Sequence, residues 1–209
     1  SKYGKYNVKE WVNKLIDAKK YKLPISTAAY SITVLEFLKD WYDNTDEQTL
    51  VLCRDNIDFG IIKYWPFTWE ELMSKLPYDW DCFQIAVINP RKLVANIHPR
   101  YIDDYSTAAF VVNRRYAEKL IHFHCRGDKF KLDNGVRPRA VADDLIYNAG
   151  KTYAMPLFLY KLELGSSIHE DHVEVFHKNS RIGLDHFWTN QATDLPIDKF
   201  FQYDTHELG

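Results

Sequence analysis

Cysteine is scarce in this chain: three among 209 residues, Cys53, Cys82 and Cys125, with no short pairing between them. That argues against a disulfide-stapled scaffold and against a zinc framework built on C-x-x-C pairs. Two of the three fall in apolar, strand-like runs, so buried thiols in a reducing compartment are expected. Long apolar runs are missing too; stretches such as Phe110-Val111-Val112 fall far short of the ~20 residues a membrane-spanning helix needs. Residues Ser1 to Lys9 carry charge and no apolar segment, so no secretory signal is expected there. Neither sign of charge dominates, since 27 Lys and Arg oppose 29 Asp and Glu for a formal net charge of −2. This balance argues against a chain dedicated to wrapping nucleic acid. There is no internal repeat, and no Pro-, Gly- or Ser-rich linker that would cut the chain in two. G-x-x-x-x-G-K-[ST], G-x-G-x-x-G and G-x-S-x-G are also absent, which counts against P-loop, dinucleotide-binding and α/β-hydrolase chemistry.

Apolar mass is present in quantity. Hydrophobic residues make up 46% of the chain and aromatics 15%, enough to offset the entropy of ordering, at a length that suits one large or two small domains. Asn7 to Lys20 places Val8, Trp11, Val12, Leu15 and Ile16 on one helical face. After Pro24, Ser26 or Thr27 is positioned to cap a second helix over Ala28 to Tyr42. Thr49 to Cys53 is a short continuous apolar run that reads as a strand buried on both faces. Trp69 to Lys75 predicts a short helix, Cys82 to Ile88 a second strand and Ala108 to Val112 a third. Asn113 is a candidate cap for a helix from Arg114 to about Phe123. Arg126 to Arg139 reads as a loop, Ala140 to Asn148 as a helix stopped by Gly150, and Thr152 to Leu162 as a strand made irregular by Pro156. From Ser166 onward, periodicity is weak and His and aromatics are frequent, as in an ordered tail lying over something. This order suits an α/β layered domain.

Five groups could carry chemistry. Asp55, within Arg54-Asp55-Asn56-Ile57-Asp58, stands where a strand empties into a loop; carboxylates there suit a hard divalent cation, and Asp and Asn also simply form turns. Asp79-Trp80-Asp81 is a literal D-x-D, but it precedes a strand, which favours turn formation and packing by Trp80. Asp143 and Asp144 open a predicted helix, where the dipole favours the charged form and so a general base; acids there also serve stability alone. The tail offers His169, His172 and His177 as borderline metal ligands, and Lys178 and Arg181 as charge-assisted phosphate donors. His122-Phe123-His124-Cys125 imitates a zinc cluster without the companion pair that would make it specific.

Taken in order, Thr49-Leu-Val-Leu-Cys-Arg-Asp-Asn-Ile-Asp-Phe59, Leu76-Pro-Tyr-Asp-Trp-Asp81, Ala108 to Leu120, Ala142-Asp-Asp-Leu-Ile-Tyr147, Gly165-Ser-Ser-Ile-His169 and Phe176-His-Lys-Asn-Ser-Arg181 resemble glycosyltransferase family 25. This is the lipopolysaccharide and collagen galactosyltransferase-like family, with members in large DNA viruses and algae. The resemblance spans roughly Ser26 to Trp188. It implies a GT-A fold, a Rossmann-like mixed central sheet flanked by helices, formed by a single domain over residues 1–209 whose tail, 166–209, packs over the donor site. It also implies a UDP-sugar donor, a glycan or glycoprotein acceptor, and Mn2+ or Mg2+ as cofactor. Carried across residue by residue, Asp55 matches the metal-binding acid and His169 a C-terminal metal or pyrophosphate contact, while Asp143 or Asp144 matches the base. Asp58 becomes a substitute ligand, because Arg54 and Asn56 stand where the family has a glutamate and an aspartate. Arg54, Asp55, Lys178 and Arg181 would hold the donor, and Trp65, Trp69 and Trp188 could offer apolar platforms to sugar faces, with core packing expected for at least two of them. The family's opening strand is not evident before Asn7, as in a fragment or a different N-terminal organisation. The placement expected is cytoplasmic, in an infected host cell if the chain is viral. A glycoside hydrolase, a zinc hydrolase on His169, His172 and His177, and a catalytically silent glycan-binding module are the rival readings.

Overall fold

The computed structural model describes residues 8–18, 24–89, 91–133, 141–161 and 177–203. Helices α1 (Val8–Lys14) and α2 (Ile25–Asn44) lead into strands β1 (Thr49–Cys53) and β2 (Ile57–Asp58), then α3 (Trp69–Ser74), β3 (Cys82–Gln84), β4 (His98–Pro99) and β5 (Ala109–Asn113). Next come α4 (Arg114–His124), β6 (Cys125–Arg126), β7 (Lys129–Phe130), α5 (Ala142–Tyr147), β8 (Thr152–Ala154), β9 (Leu159–Tyr160) and α6 (Lys178–Asn190). The chain is of the mixed α/β class, with a mixed central sheet. No helix among the described residues is long and apolar enough to cross a membrane. The chain divides into two compact units, Ser1–Leu50 with Val112–Gly150 and Val51–Val111 with Lys151–Gly209.

The first unit is helical. Helix α2 buries Ala28, Ile32, Leu35 and Leu38 along one stripe, and Ala28, Ile32 and Leu35 cluster with Leu15, Phe130, Leu132 and Leu145. Its N-cap is Pro24, with no side-chain cap, and not Ser26 or Thr27, which lie inside the helix. Asn113 does cap α4: its Oδ1 accepts from Tyr116 N at 2.8 Å. Tyr116 in turn donates from Oη to Ile146 O at 2.5 Å, which ties α4 to α5 while both side chains stay buried. The loop expected from Arg126 begins instead with a hairpin, β6 paired to β7 through Gly127 at φ +66°, a conformation glycine adopts without a Cβ penalty.

The second unit holds most of the five-stranded sheet, ordered β1-β5-β3-β8-β4. Strand β8 runs parallel to β3 and antiparallel to β4. The residues Ala109 to Val112 are fully buried, as a central strand requires. Strand β1 corrects the expectation of burial on both faces. It lies at the sheet edge and alternates in exposure, leaving Val51 and Cys53 open. All three cysteines are free thiols; Cys82 is buried and Cys125 half-buried, which pushes the latter's pKa up to about 11. The D-x-D serves packing: Asp79 pairs with Lys151 Nζ and accepts from Tyr153 Oη at 3.2 Å, and Asp81 Oδ2 accepts from Lys151 N at 3.0 Å, pinning the start of β8. A second, two-stranded sheet joins β2 and β9 in antiparallel register, Ile57 opposite Tyr160 and Asp58 opposite Leu159.

Two features of the chain's last third depart from the sequence pattern. Pro156 separates β8 from β9, and its carbonyl accepts from Trp188 Nε1 at 2.9 Å. Residues 178–190 form a regular helix, α6, whose buried residues Leu184, Phe187 and Trp188 fall at helical spacing. Trp188 stacks on Phe200 with ring centroids 5.6 Å apart and meets Phe67 edge-on at 6.1 Å, at the centre of an aromatic core.

Candidate functional site

Strand β1 ends where Arg54 N donates to Ala108 O at 2.7 Å, its last bond to the neighbouring segment. The chain then turns through Asp55 and Asn56 into β2, because Ile57 N returns to Arg54 O and Ile57 is buried in the core. Lys161 N donates to Asn56 O at 2.8 Å and extends the β2–β9 pairing. Arg54 and Asp55 are left exposed, while Asp58 is half-buried.

Asp58 is the best-defined acid of the turn. Its Oδ1 accepts from Gly60 N at 2.9 Å and its Oδ2 from Arg181 Nη2 at 3.1 Å. Arg181 Nη1 also donates to Tyr160 O. These bonds bring the turn after β1 onto the first turns of α6, 123 residues further along. The Gly60 amide first, and the Arg181 guanidinium with it, hold the Asp58 carboxyl below its ordinary value against the opposing effect of partial burial; Lys161 adds to the lowering. Lys178 is exposed one helical turn before Arg181, and the His177 ring lies 5.8 Å from that of Tyr160. Asn56 Oδ1 is buried without a hydrogen-bond partner among the described residues.

The remaining sequence-predicted residues lie elsewhere. Asp143 and Asp144 stand in the first turn of α5, in the other compact unit, where Asp144 Oδ1 accepts from Asn148 Nδ2 at 3.3 Å. His169 and His172 lie outside the described residues. Of the three tryptophans, Trp188 is entirely buried and Trp65 and Trp69 pack partly buried against the same core. The aromatic face left open beside the turn is that of Phe59, half exposed and braced edge-on by Phe158 at 5.1 Å. In the His122–Cys125 stretch, the buried His124 ring is committed to a backbone contact from Nδ1 to Lys131 O at 2.8 Å.

The donor set decides whether a divalent cation fits. Both oxygens of Asp58 are engaged, one of them by a guanidinium, and Asp55 is the remaining carboxylate of the turn. No group of three His, Cys, Asp or Glu side chains among the described residues is spaced to hold a metal ion. Among the described residues, Arg181 pairs with Asp58, and Lys161 adds a positive charge close enough to lower the Asp58 carboxyl further. Of the three ligands the resemblance implies, Asp55 and Asp58 stand in this turn, Asp58 already bonded to Gly60 N and Arg181, and His169 lies outside the described residues.

A buried polar network that no local pattern marks lies beyond the carboxyl end of β3. Asp104 accepts from Asn89 Nδ2 at 2.9 Å and from Tyr101 N at 2.7 Å, and its Oδ2 lies 3.3 Å from His98 Nε2. Arg100 bridges Gln84 Oε1 at 3.0 Å and Asp104 O at 2.8 Å. Gln84 Nε2 donates to Tyr105 O and Ser106 O, and Ser106 takes the unusual φ of +98°. Asn89, His98, Asp104 and Ser180 line a cavity of about 10 Å³, room for one water and not for a substrate. The network shapes the segment between β3 and β5.

Comparison with protein-family models, with curated proteins and with solved structures finds no match.

Proposed function

We propose that this chain is a glycosyltransferase of GT-A type that grips the diphosphate of a nucleotide-sugar donor, UDP-linked, and transfers the sugar to a hydroxyl of a glycan or glycoprotein. The observation that carries this reading is the Asp58–Arg181 contact. It joins an acid after the first strand to a base of the C-terminal segment, two regions that the resemblance assigns to one donor site. In this reading Arg181 and Lys178 supply charge-assisted bonds to the phosphates. Phe59 offers an apolar face next to them, and the resemblance assigns the role of base to Asp143 or Asp144. The resemblance implies Mn2+ or Mg2+ held by Asp55, Asp58 and His169, and no step is routed through the cation here.

A panel of UDP-, GDP- and CMP-sugars tests the proposal through thermal stabilisation followed by assay of released nucleotide. A ligand bound only by the folded chain raises its apparent stability by mass action. Stabilisation by one nucleotide class with turnover in the presence of an acceptor is the expected result. Indifference to every donor would exclude the reading. The replacement of acids by Arg54 and Asn56, and the neutralisation of Asp58 by Arg181, favour one alternative, a silent glycan-binding module. That module would bind oligosaccharides and turn over no donor.

A further inference from the structure

The buried pair of His98 and Asp104 has no role in the proposed transfer, and its hydrogen bonds fix where its protons sit. His98 Nδ1 lies 2.8 Å from Asn96 O, and Nε2 lies 3.3 Å from Asp104 Oδ2. A carbonyl oxygen only accepts, so Nδ1 carries a hydrogen. The Asp104 carboxyl has donors of its own: Tyr101 N gives to Oδ2 at 2.7 Å and Asn89 Nδ2 to Oδ1 at 2.9 Å. The Asn89 amide cannot be turned round, because its Oδ1 takes Arg91 N and Lys92 N, each at 3.0 Å. A carboxyl supplied with such N–H donors is favoured as the carboxylate, and Asp104 accordingly lies below the ordinary range. Nε2 therefore needs a hydrogen as well, and a neutral imidazole has only one to give.

We propose that His98 is a buried imidazolium paired with the Asp104 carboxylate, and that its second proton clamps the loop at Asn89 onto the start of α6. Both side chains are almost closed to solvent. Either neutral tautomer sets an acceptor against an acceptor, at Asn96 O or at Asp104, so loss of that proton turns His98 against one of its partners. Asp104 carries the change onward, because Asn89 Nδ2 is bonded to it and Asn89 N donates to Ser180 Oγ at 3.3 Å, in the first turn of α6. Charged neighbours act in both directions: Asp104 favours the proton, while Lys92, which lines the same cavity, and Arg100, which donates to Asp104 O at 2.8 Å, oppose it. The other faces are uncharged among the described residues. Tyr101 stacks on the ring at 5.0 Å, Ala154 of β8 stands opposite in register, and Pro156, Ser180 and Leu184 close the cavity. The clamp is independent of the donor-site reading, since it concerns how α6 is held and not what the helix binds.

Long-range proton–nitrogen NMR of the isotope-labelled full chain at about pH 7.5 tests the proton count. The His98 ring, assigned through its backbone, should show hydrogen on both nitrogens, and a lone-pair nitrogen there overturns the proposal. Asp104→Asn removes the carboxylate and should return His98 to a single ring hydrogen at that pH; a ring that keeps both overturns the pairing with Asp104. Hydrogen exchange at Asn89 N, corrected for the intrinsic effect of pH, reads the clamp. Its protection should be lost as the wild-type ring gives up its second proton on the alkaline side, and protection that persists through that loss overturns the clamp. The ring spectrum and the exchange measurement use the wild-type chain alone, so both decide even where Asp104→Asn fails to fold.

Discussion

Two buried ionisable side chains respond to acid through opposite physical causes. Burial alone would push Asp104 up, but the bonds from His98, Asn89 and Tyr101 N outweigh it and hold its carboxyl below the ordinary range. Its folded pKa is therefore depressed, and the stability it contributes is present above the unfolded value of about 3.9 and lost as pH falls through the folded value. Replacing it leaves several buried partners unsatisfied, so Asp104→Ala is expected to cost about 3 kcal/mol by urea denaturation at neutral pH. His124 is buried with Nε2 unpartnered among the described residues, and burial pushes its imidazole below the ordinary 6.5. The unfolded chain thus takes the proton first, and stability held above about pH 6.5 falls as pH drops below it. His124→Asn keeps a donor at the position of Nδ1 for Lys131 O but does not titrate. Urea midpoints at about pH 7.5 and about pH 5.5 should therefore differ less in the variant than in the wild-type chain. The Asp104 network is not legible in the sequence, because only tertiary contacts bring His98, Arg100 and Asp104 together inside, where they satisfy one another. The turn residues Asp55 and Asp58 are legible from their place after an apolar run. The partner of Asp58 is not, since nothing local at Arg181 encodes a contact 123 residues away.

Element boundaries follow the sequence where one force dominates. Strand β1, the capped start of α4 and the break at Pro156 each come from a strong local signal: a β-rich run, an Asn before a periodic stripe, a residue without an N–H. The cap carries a measurable consequence, for Asn113→Ala should cost about 1 kcal/mol of stability. Helix α6 is hidden from pattern reading because its stripe of Leu184, Phe187 and Trp188 is short and Gly183 interrupts it with the poorest helix propensity short of proline. A Cβ added at Gly183 meets no atom within 4 Å. Gly183→Ala is accordingly expected to stabilise the chain by about 0.5 to 1 kcal/mol, read as a higher melting temperature. The exposure of β1 is hidden for a different reason: an apolar run of five residues looks the same at an edge as at the centre, and strand order is set by pairing at long range.

At the scale of the molecule, the α/β class is legible and the order β1-β5-β3-β8-β4 is not, because crossovers leave no mark on local composition. Donor-gripping residues and a base leave different signatures under mutation. Arg181, Lys178 and Asp58 belong to the unit 51–111 with 151–209, while Asp143 and Asp144 belong to the unit 1–50 with 112–150. A residue that grips the donor alters affinity for it. A base acts only while the acceptor proton moves, and so leaves donor affinity as it was. On this assignment Asp143→Asn or Asp144→Asn lowers sugar transfer by about 10² to 10⁴ with donor binding unchanged, whereas Arg181→Gln loses donor binding itself. Calorimetry for the first quantity and nucleotide release for the second decide between these roles. A carboxylate variant that loses donor affinity in proportion to rate would make the acid a binding or folding residue, and the base would have to be sought elsewhere in the chain.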